Sequence, residues 1–341
     1  MNWEKSLTIG IPVRNESGTL EGFLDSLKTA VDFLPADIFV ETIICINGCT
    51  DGSEEIALQL VHRFQDSRLN LVVLNSSTGK MEAQRKILAS RRFSDMAAFF
   101  DADIVLHQDC LLNLWNAMQA NPDLQLAYAR VKAVNYGYET IIEWLESVHY
   151  VFPNLLSPRR YFHARGYLIR PTKLFFLDAQ VEDRIKNLAK EKKRFSWMQL
   201  SAGPLIDDIH LSRVLIHQNG FGCIKEVHEA VVNFTAPRTL KDFFEGQRRL
   251  LIEIRRLDIL FPEHAYLQKH LERKLNHENI RNMGYSVRLH HLLYRMMEKC
   301  VRAWVRINIL YSDCFKRRSG ELWIPLKSTK KISRGGSNDQ N

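Results

Sequence analysis

The 341-residue chain has no uncharged apolar run of about 18 residues, the length that a membrane-spanning helix requires. Its six cysteines stand apart and form no Cys-x-x-Cys pair, so the sequence indicates neither a zinc site nor a disulfide framework. No basic and apolar leader precedes the first strand-like segment. We therefore expect a chain with reduced thiols that resides in the cytoplasm.

The charge is unevenly distributed, although the net charge is only +8. Residues 1–150 contain 12 Lys and Arg against 20 Asp and Glu, whereas residues 151–341 contain 35 against 19. The acidic front half argues against nucleic acid as a partner. The basic back half favours an anionic partner such as a nucleotide, a lipid phosphate or a membrane surface.

The first 135 residues alternate between strand-like and helix-like segments. Apolar runs at 7–13, 39–46, 69–74 and 96–100 predict buried strands, and apolar residues at helical spacing follow the first three. Such alternation is typical of right-handed βαβ units and a mainly parallel sheet, which binds ligands at the carboxyl ends of its strands. From residue 240 the chain becomes mostly helical and basic.

Asp101 and Asp103 are the first candidate site residues, because they directly follow the apolar run at 96–100. Alternation along an extended chain places both carboxylates on one side, just beyond the strand end. Two neighbouring carboxylates repel each other, and a divalent cation shared with phosphate oxygens is their natural occupant. An ordinary polar end to a strand is the alternative.

Four segments, in order, resemble the motifs of family 2 glycosyltransferases. They are the opening strand and nucleotide loop at 9–16, a second loop at 47–53, a Gly-Lys segment at 79–84 and the metal-binding motif at 99–103. The resemblance implies the GT-A fold, in which a Rossmann-like, mainly parallel sheet is flanked by helices. It also implies inverting transfer of one sugar from a nucleotide diphosphate sugar, preferably a UDP-sugar, to a hydroxyl of a glycan or lipid-linked acceptor.

On this resemblance we expect a GT-A domain at 1–238, with a nucleotide-sugar half at 1–135 and an acceptor half at 136–238. A helical basic region follows at 239–330, and a disordered tail at 331–341.

The resemblance also implies the residues of the donor site. Asp103 would bind a divalent cation, Mn²⁺ or Mg²⁺, and Asp101 would contact the ribose, or the cation through water. His228 would complete the metal shell. The other implied donor contacts are Pro12, Arg14, Glu16, Asn47, Asp51, Lys80, Ala102, Arg165, Gly166, Asp207, Gln247, Arg248 and Arg249.

Several of these residues also have an ordinary structural interpretation. The alternatives are a solvated helix start for Lys80, an exposed structural position for Arg165, a helix cap for Asp207, a solvated basic face for Gln247–Arg249 and a chance position for His228, one of twelve histidines.

Asp208 is the candidate general base, because the segment 206–213 resembles the family's acidic helix start. Inverting transfer requires a group that takes the proton of the acceptor hydroxyl on the side opposite the leaving diphosphate. We therefore expect Asp103 and Asp208 to flank one cavity.

Two other functions fit parts of the pattern. A nucleotidyltransferase would use a similar sheet and cation to make a sugar nucleotide, but no Gly-rich triphosphate loop follows the first strand. A non-catalytic binding protein could keep the fold without needing both Asp103 and Asp208. Leu250 and Leu251 replace the Arg and Trp of polymerising family members, which argues against processive synthesis.

An apolar stripe with cations beside it occupies the start of the region 288–330. The apolar residues at helical spacing are Leu289, Leu292, Leu293, Met296, Met297, Cys300, Val301, Trp304 and Val305, and the cations are Arg288, Arg295, Lys299, Arg302 and Arg306. The pattern suits a peripheral helix on an anionic membrane surface, to which residues 322–330 would add a Trp and lysines. A helix packed on the sheet domain is the alternative.

Overall fold

The computed structural model describes residues 5–315, apart from 66, 78, 93–95, 135–139, 153–159, 171, 193–197, 272 and 275. The strands are β1 Lys5–Val13, β2 Ile38–Asn47, β3 Leu71–Ser76, β4 Ala97–Phe100, β5 Ile104–Leu106, β6 Leu126–Ala133, β7 Gly166–Ile169 and β8 Ile224–Phe234. The helices are α1 Leu20–Asp32, α2 Ser53–Arg63, α3 Lys80–Ser90, α4 Cys110–Ala120, α5 Ile141–Val151, α6 Ala179–Glu191, α7 Asp207–Asn219, α8 Leu240–Leu260, α9 Gln268–Leu271, α10 His277–Arg281 and α11 Tyr285–Phe315.

These strands form one sheet in the order β3-β2-β1-β4-β7-β6-β8-β5. Strands β1 to β4 are mutually parallel where they pair, as the alternation of the first 100 residues predicts. Beyond β4 the sheet is mixed, because β7 is antiparallel to both β4 and β6, and β5 is antiparallel to β8. The predicted α/β class with flanking helices is confirmed, and the predicted strands are found with their ends shifted by two residues at most.

The core covers both faces of the sheet, because alternate side chains of the buried strands point in opposite directions. Ile44 and Ile46 belong to the cluster that packs against α1, α2 and α4. Their neighbours Ile43 and Cys45 belong to the cluster that packs against α3 and α7. The helices therefore hold the parallel strands from both sides and leave the strand ends free to carry loops.

The helical C-terminal region predicted from the sequence is present. Helices α8 and α11 pack on each other, with Leu257 and Leu260 in the same buried cluster as Val301 and Val305. No helix in the described part of the chain is both long and apolar enough to cross a bilayer. The predicted tail at 331–341 and the segment 322–330 lie outside the described residues, and the domain boundary at residue 238 stays a prediction.

Candidate active site

Three of the polar loops singled out in the sequence follow β1, β2 and β4. These strands are parallel neighbours, so their carboxyl ends meet at one edge of the sheet. Only the residues Asp101–Asp103 separate β4 from β5. The fold therefore brings segments that are about 90 positions apart in sequence to one place.

The first two loops hold each other through side-chain contacts. The backbone NH of Glu16 donates to Ser53 Oγ at 2.8 Å, and the backbone NH of Ser17 donates to Asp51 Oδ2 at 3.1 Å. The other oxygen of Asp51 accepts from the hydroxyl of Ser53 at 2.5 Å. Glu16 is buried and accepts from Thr19 Oγ1 at 3.0 Å. The carboxylates of Glu16 and Asp51 thus hold the two loops in place by hydrogen bonds. The contacts of these two residues with a nucleoside stay predictions.

Asn47, the last residue of β2, joins the second loop to the start of α3. Its side-chain oxygen accepts from the backbone NH of Gly79 at 2.6 Å. Gly79 has a φ of +140°, which a residue with a side chain rarely adopts. Pro12 and Arg14 are partly exposed at the end of β1 and just beyond it. The Asn47–Gly79 contact places the next residue, Lys80, at the sheet edge.

Lys80 lies between the two acidic pairs of the sequence. Its Nζ is 2.7 Å from Asp101 Oδ1 and 3.4 Å from Asp207 Oδ1. Burial alone would lower the pKa of Lys80, but the charges of Asp101, Asp207 and Asp208 raise it above its ordinary value. Only 14% of the side chain is exposed, so Lys80 is not a solvated helix start.

Asp103 is partly exposed beside this cluster. Burial and the charge of Asp101 raise the pKa of Asp103 to about 6, while Arg165 and Lys80 act in the opposite direction. A carboxylate that carries such a penalty gains from a cation at its oxygens. Among the described residues no group of three or more His, Cys, Asp and Glu could hold a metal ion by itself. Asp101 and Asp103 are the carboxylates at this edge that could hold a hard divalent cation, whose remaining ligands would then be oxygens of substrate and water.

Asp207 and its neighbour Asp208 occupy the first turn of α7 but differ in environment. Asp207 is 1% exposed, and its Oδ2 accepts from Gln84 Nε2 at 2.7 Å and from Tyr167 OH at 2.9 Å. The N-cap residue of α7 is Ile206, and no side chain caps the helix by a hydrogen bond, so Asp207 lies in the favourable first turn but is held by Gln84 and Tyr167. Asp208 is half-buried, which leaves it the more accessible of the two carboxylates.

A buried ion pair on α8 holds the segment that precedes α7. Glu253 and Arg256 are 2.6 Å apart, and both side chains are almost fully buried. Glu253 Oε1 accepts from the backbone NH groups of Leu205, at 2.8 Å, and Ile206, at 3.3 Å. Arg256 donates to the backbone oxygen of Gly203 at 2.6 Å. These contacts fix the point at which α7 begins, and with it the position of the acidic pair.

Two arginines bring positive charge to Asp103. The Arg165 guanidinium lies 3.9 Å from the centre of the Phe234 ring, and its charge lowers the pKa of Asp103. Burial lowers the pKa of Arg249, on α8, and nearby carboxylates that include Asp103 act in the opposite direction. Both side chains therefore lie within electrostatic reach of the predicted metal ligand, and Arg165 is not an isolated surface residue.

The two residues before Arg249 are engaged within the helical region. Gln247 Oε1 accepts from Arg302 Nε of α11 at 3.1 Å. Arg248 pairs with Glu245 at 3.2 Å, one turn earlier on α8. The solvated basic face that was the alternative for this segment therefore does not describe Gln247 or Arg248, and Arg249 is linked to Asp103 by charge.

Gly166 and His228 have positions that the sequence did not indicate. A Cβ atom on Gly166 would lie 2.9 Å from the Phe100 ring, so packing between β7 and β4 explains the glycine. His228 is exposed at a bulge of β8. Ile104 pairs with Phe234, so Asp103 lies beside the C-terminal end of β8. His228 is six residues earlier on this strand, which corresponds to about 15–20 Å. The structure does not bring His228 to Asp103, and we do not retain it as a ligand.

Sequence reasoning missed four residues of this site. Gln84 and Tyr167 stand inside segments that resemble family motifs, but nothing in their spacing indicates a shared partner in Asp207. Glu253 and Arg256 carry an i, i+3 pattern that is usual on exposed helices. Only their burial distinguishes them from a surface pair.

Residues 8–179, just over half of the chain, match the family described as glycosyl transferase family 2. The chain therefore belongs to this family, and the predicted enzyme class, a glycosyltransferase, is confirmed. No curated protein sequence matches the chain.

Two of the solved structures that match the chain are glycosyltransferases. The mannosyltransferase PcManGT from Pyrobaculum calidifontis, in complex with GDP-Man and Mn²⁺, is 14% identical with a TM-score of 0.50, over 93% of this chain and 91% of that one. Glucosyl-3-phosphoglycerate synthase from Mycobacterium tuberculosis, in complex with Mn²⁺, UDP-Glc and phosphoglyceric acid, is 17% identical with a TM-score of 0.45, over 75% of this chain and 80% of that one. At these identities the likeness concerns the fold.

Proposed function

We propose that this glycosyltransferase moves one sugar, with inversion, from a UDP-sugar to a hydroxyl of a glycan or lipid-linked acceptor. The observation that supports this most strongly is the position of Lys80 between Asp101 and Asp207, with Asp208 also acting on its charge. Asp101 and Asp103 would hold the donor diphosphate, and Asp207 and Asp208 would serve the acceptor. The ammonium group of Lys80 thus interacts with both carboxylate pairs.

The donor side of the proposal uses Asp101, Asp103 and the basic residues beside them. Asp103, with Asp101 through water, would hold a divalent cation that offsets the charge developing on the departing diphosphate. Lys80, Arg165 and Arg249 would bind the diphosphate oxygens, because their charges already converge on these carboxylates. The interlocked loops after β1 and β2 would hold the nucleoside.

The acceptor side uses the first turn of α7. Asp208 would take the proton of the attacking hydroxyl, since it is more accessible than Asp207. Asp207, held by Gln84 and Tyr167, would keep this turn and Lys80 in place. Attack on the anomeric carbon from the side opposite the diphosphate then inverts its configuration.

Replacement of Asp208 tests the proposal. In Asp208→Asn the amide keeps the shape of the side chain but cannot accept the proton, so transfer should fall by about 10²–10⁴-fold. Transfer is measured as release of UDP from a UDP-sugar in the presence of Mn²⁺ and acceptor, and UDP affinity is measured by titration calorimetry. UDP affinity should change little.

The exposed Asp123 provides a matched control on a different surface. Asp123→Asn should leave transfer and UDP affinity as they are in the native chain. A native rate of transfer in Asp208→Asn would remove this residue from the mechanism. Release of pyrophosphate from a nucleoside triphosphate and a sugar phosphate would instead indicate a nucleotidyltransferase.

A further inference from the structure

Helix α11 has two apolar faces, and only one of them is packed by other residues that the structure describes. Val301, Val305 and Ile309 are buried in the cluster shared with α8. The second face, which we call the exposed stripe, consists of Leu289, Leu292, Met296, Trp304, Ile307 and Leu310. Their exposed fractions are between 42% and 60%. The sequence left an interfacial helix and a packed helix as alternatives, and in the described part of the chain one face of α11 is buried while the other is exposed.

The exposed stripe is continuous along the helix. Successive residues are about 100° apart around an α-helix, so the six side chains lie within an arc of about 120°. From Leu289 to Leu310 the stripe is about 30 Å long. An apolar strip of this width and length is more than the scattered exposed side chains of an ordinary surface.

The cations of α11 all lie on one flank of the stripe. By the same rotation Arg288, Arg295, Lys299, Arg302 and Arg306 fall within an arc of about 60° between the stripe and the buried face. Glu298 is buried and pairs with Arg295 at 2.5 Å and Arg302 at 3.0 Å. Lys299 and Arg306 are exposed. The flank is therefore positive, and it adjoins the apolar surface along most of its length.

An apolar groove widens the same surface. A cavity of about 520 Å³ lies between α11 and the first turn of α8, lined by Leu240, Lys241, Phe244, Cys300, Val301 and Trp304. Trp304 belongs to both the groove and the exposed stripe, so the two are continuous. Leu240 is also exposed, and the neighbouring Lys241 adds a cation at the groove.

We propose that the exposed stripe and its cationic flank bind an anionic lipid bilayer, with α11 lying in the plane of the interface. Apolar side chains on one face of a helix enter the boundary between headgroups and acyl chains, while adjacent Lys and Arg contact anionic headgroups. A bilayer is favoured as the occupant because the positive flank is complementary to a negative membrane surface. This inference goes beyond the sugar transfer proposed above.

Sedimentation of the full chain with vesicles tests the proposal. The vesicles consist of phosphatidylcholine alone, or with phosphatidylglycerol at about one third of the lipid. The protein should sediment with the anionic vesicles and much less with the neutral ones. Raising NaCl from about 0.1 M to about 1 M shortens the Debye length from about 10 Å to about 3 Å and should weaken binding.

Two sets of substitutions separate the apolar and the cationic contributions. Leu292→Glu combined with Ile307→Glu should abolish sedimentation with either vesicle. Lys299→Glu combined with Arg306→Glu should weaken binding to anionic vesicles by about tenfold or more, since each cation near the surface is worth about 1 kcal/mol. Leu58→Glu on α2 is the matched control, because Leu58 is also apolar and about half exposed. It should bind as the native chain does.

The far-UV circular dichroism spectrum of each variant shows whether it is folded, so the vesicle result does not depend on the proposed transfer. The proposal fails if the native chain stays in the supernatant with anionic vesicles. It also fails if the Leu292→Glu and Ile307→Glu variant still binds them. If the native chain is a dimer that this variant converts to monomers, without any vesicle binding, the stripe is a subunit interface and the bilayer is wrong.

Discussion

At the scale of single residues, the charges of the site are set by partners that stand far apart in sequence. Lys80 starts a helix, where a lysine is usually solvated, yet it contacts Asp101 and Asp207 and is largely buried. Asp207 stands at a helix N-terminus, where a carboxylate usually caps, yet its partners are Gln84 and Tyr167. In both cases a tertiary contact replaces the role that the local position favours.

Glu146 on α5 should make the stability of the protein depend on pH. It is 7% exposed, and burial raises its pKa from 4.5 to about 8, which Arg165 partly opposes. Raising the pH from 4.5 towards 8 therefore ionises Glu146 in the unfolded chain before the folded one, which favours unfolding. Gln does not ionise, so Glu146→Gln removes this loss of stability. Between pH 5 and pH 8 the free energy of unfolding of the variant should rise by about 1–4 kcal/mol relative to that of the native chain.

Urea unfolding at the two pH values measures this gain. Glu191→Gln, at an exposed position of α6, is the control and should differ from the native chain equally at both pH values. A stability difference between Glu146→Gln and the native chain that is the same at pH 5 and pH 8 would show that folding does not raise the pKa of this carboxyl.

At the scale of elements, α8 connects three parts of the molecule. It packs on α11, carries Arg249 towards Asp103, and holds the start of α7 through Glu253 and Arg256. The loops after β1 and β2 depend on contacts with each other instead. The proposed donor and acceptor sides of the site are therefore supported by different elements.

Arg256→Met should separate these two sides. The substitution leaves Glu253 buried without its counter-charge, which typically costs about 3–5 kcal/mol of the free energy of unfolding. Because the start of α7 loses its anchor, sugar transfer should fall more than UDP affinity does. Urea unfolding, the transfer rate and UDP calorimetry are the measurements.

The adjacent Arg255, which is only partly buried, is the matched control. Arg255→Met should cost less stability and leave the ratio of transfer rate to UDP affinity unchanged. Equal losses of transfer and UDP affinity in Arg256→Met would mean that the pair supports the whole fold rather than the acidic turn.

At the scale of the whole molecule, donor binding should stabilise the folded chain. A ligand that binds only the folded state, at 100 times its Kd, adds about 2.7 kcal/mol to the free energy of unfolding. UDP with Mn²⁺ should therefore raise the Tm by several degrees. Asp103→Asn should lose the part of the rise that depends on Mn²⁺. An equal rise with and without Mn²⁺ in the native chain would contradict the proposed cation, and a panel of nucleotides would identify the base.

The sequence by itself determined the family, the α/β class, the four leading strands and the helical C-terminal region. These features depend on local periodicity and on motifs of short span, which a single chain displays directly. Asp101, Asp103 and Asp208 could be singled out because residues just after parallel strands, or at the start of a helix, have defined places in such a fold, and their roles stay predictions.

Only the tertiary structure decided which side chains meet and which faces are covered. The partners of Lys80 and the anchoring of α7 by Glu253 and Arg256 depend on contacts between segments far apart in sequence. The distance of His228 from Asp103 depends on how β8 pairs with β5. The sequence also does not show which apolar residues of α11 are buried, because both faces of the helix carry apolar side chains. Packing against α8 buries Val305 and leaves Trp304 exposed, because the two adjacent side chains point about 100° apart around the helix.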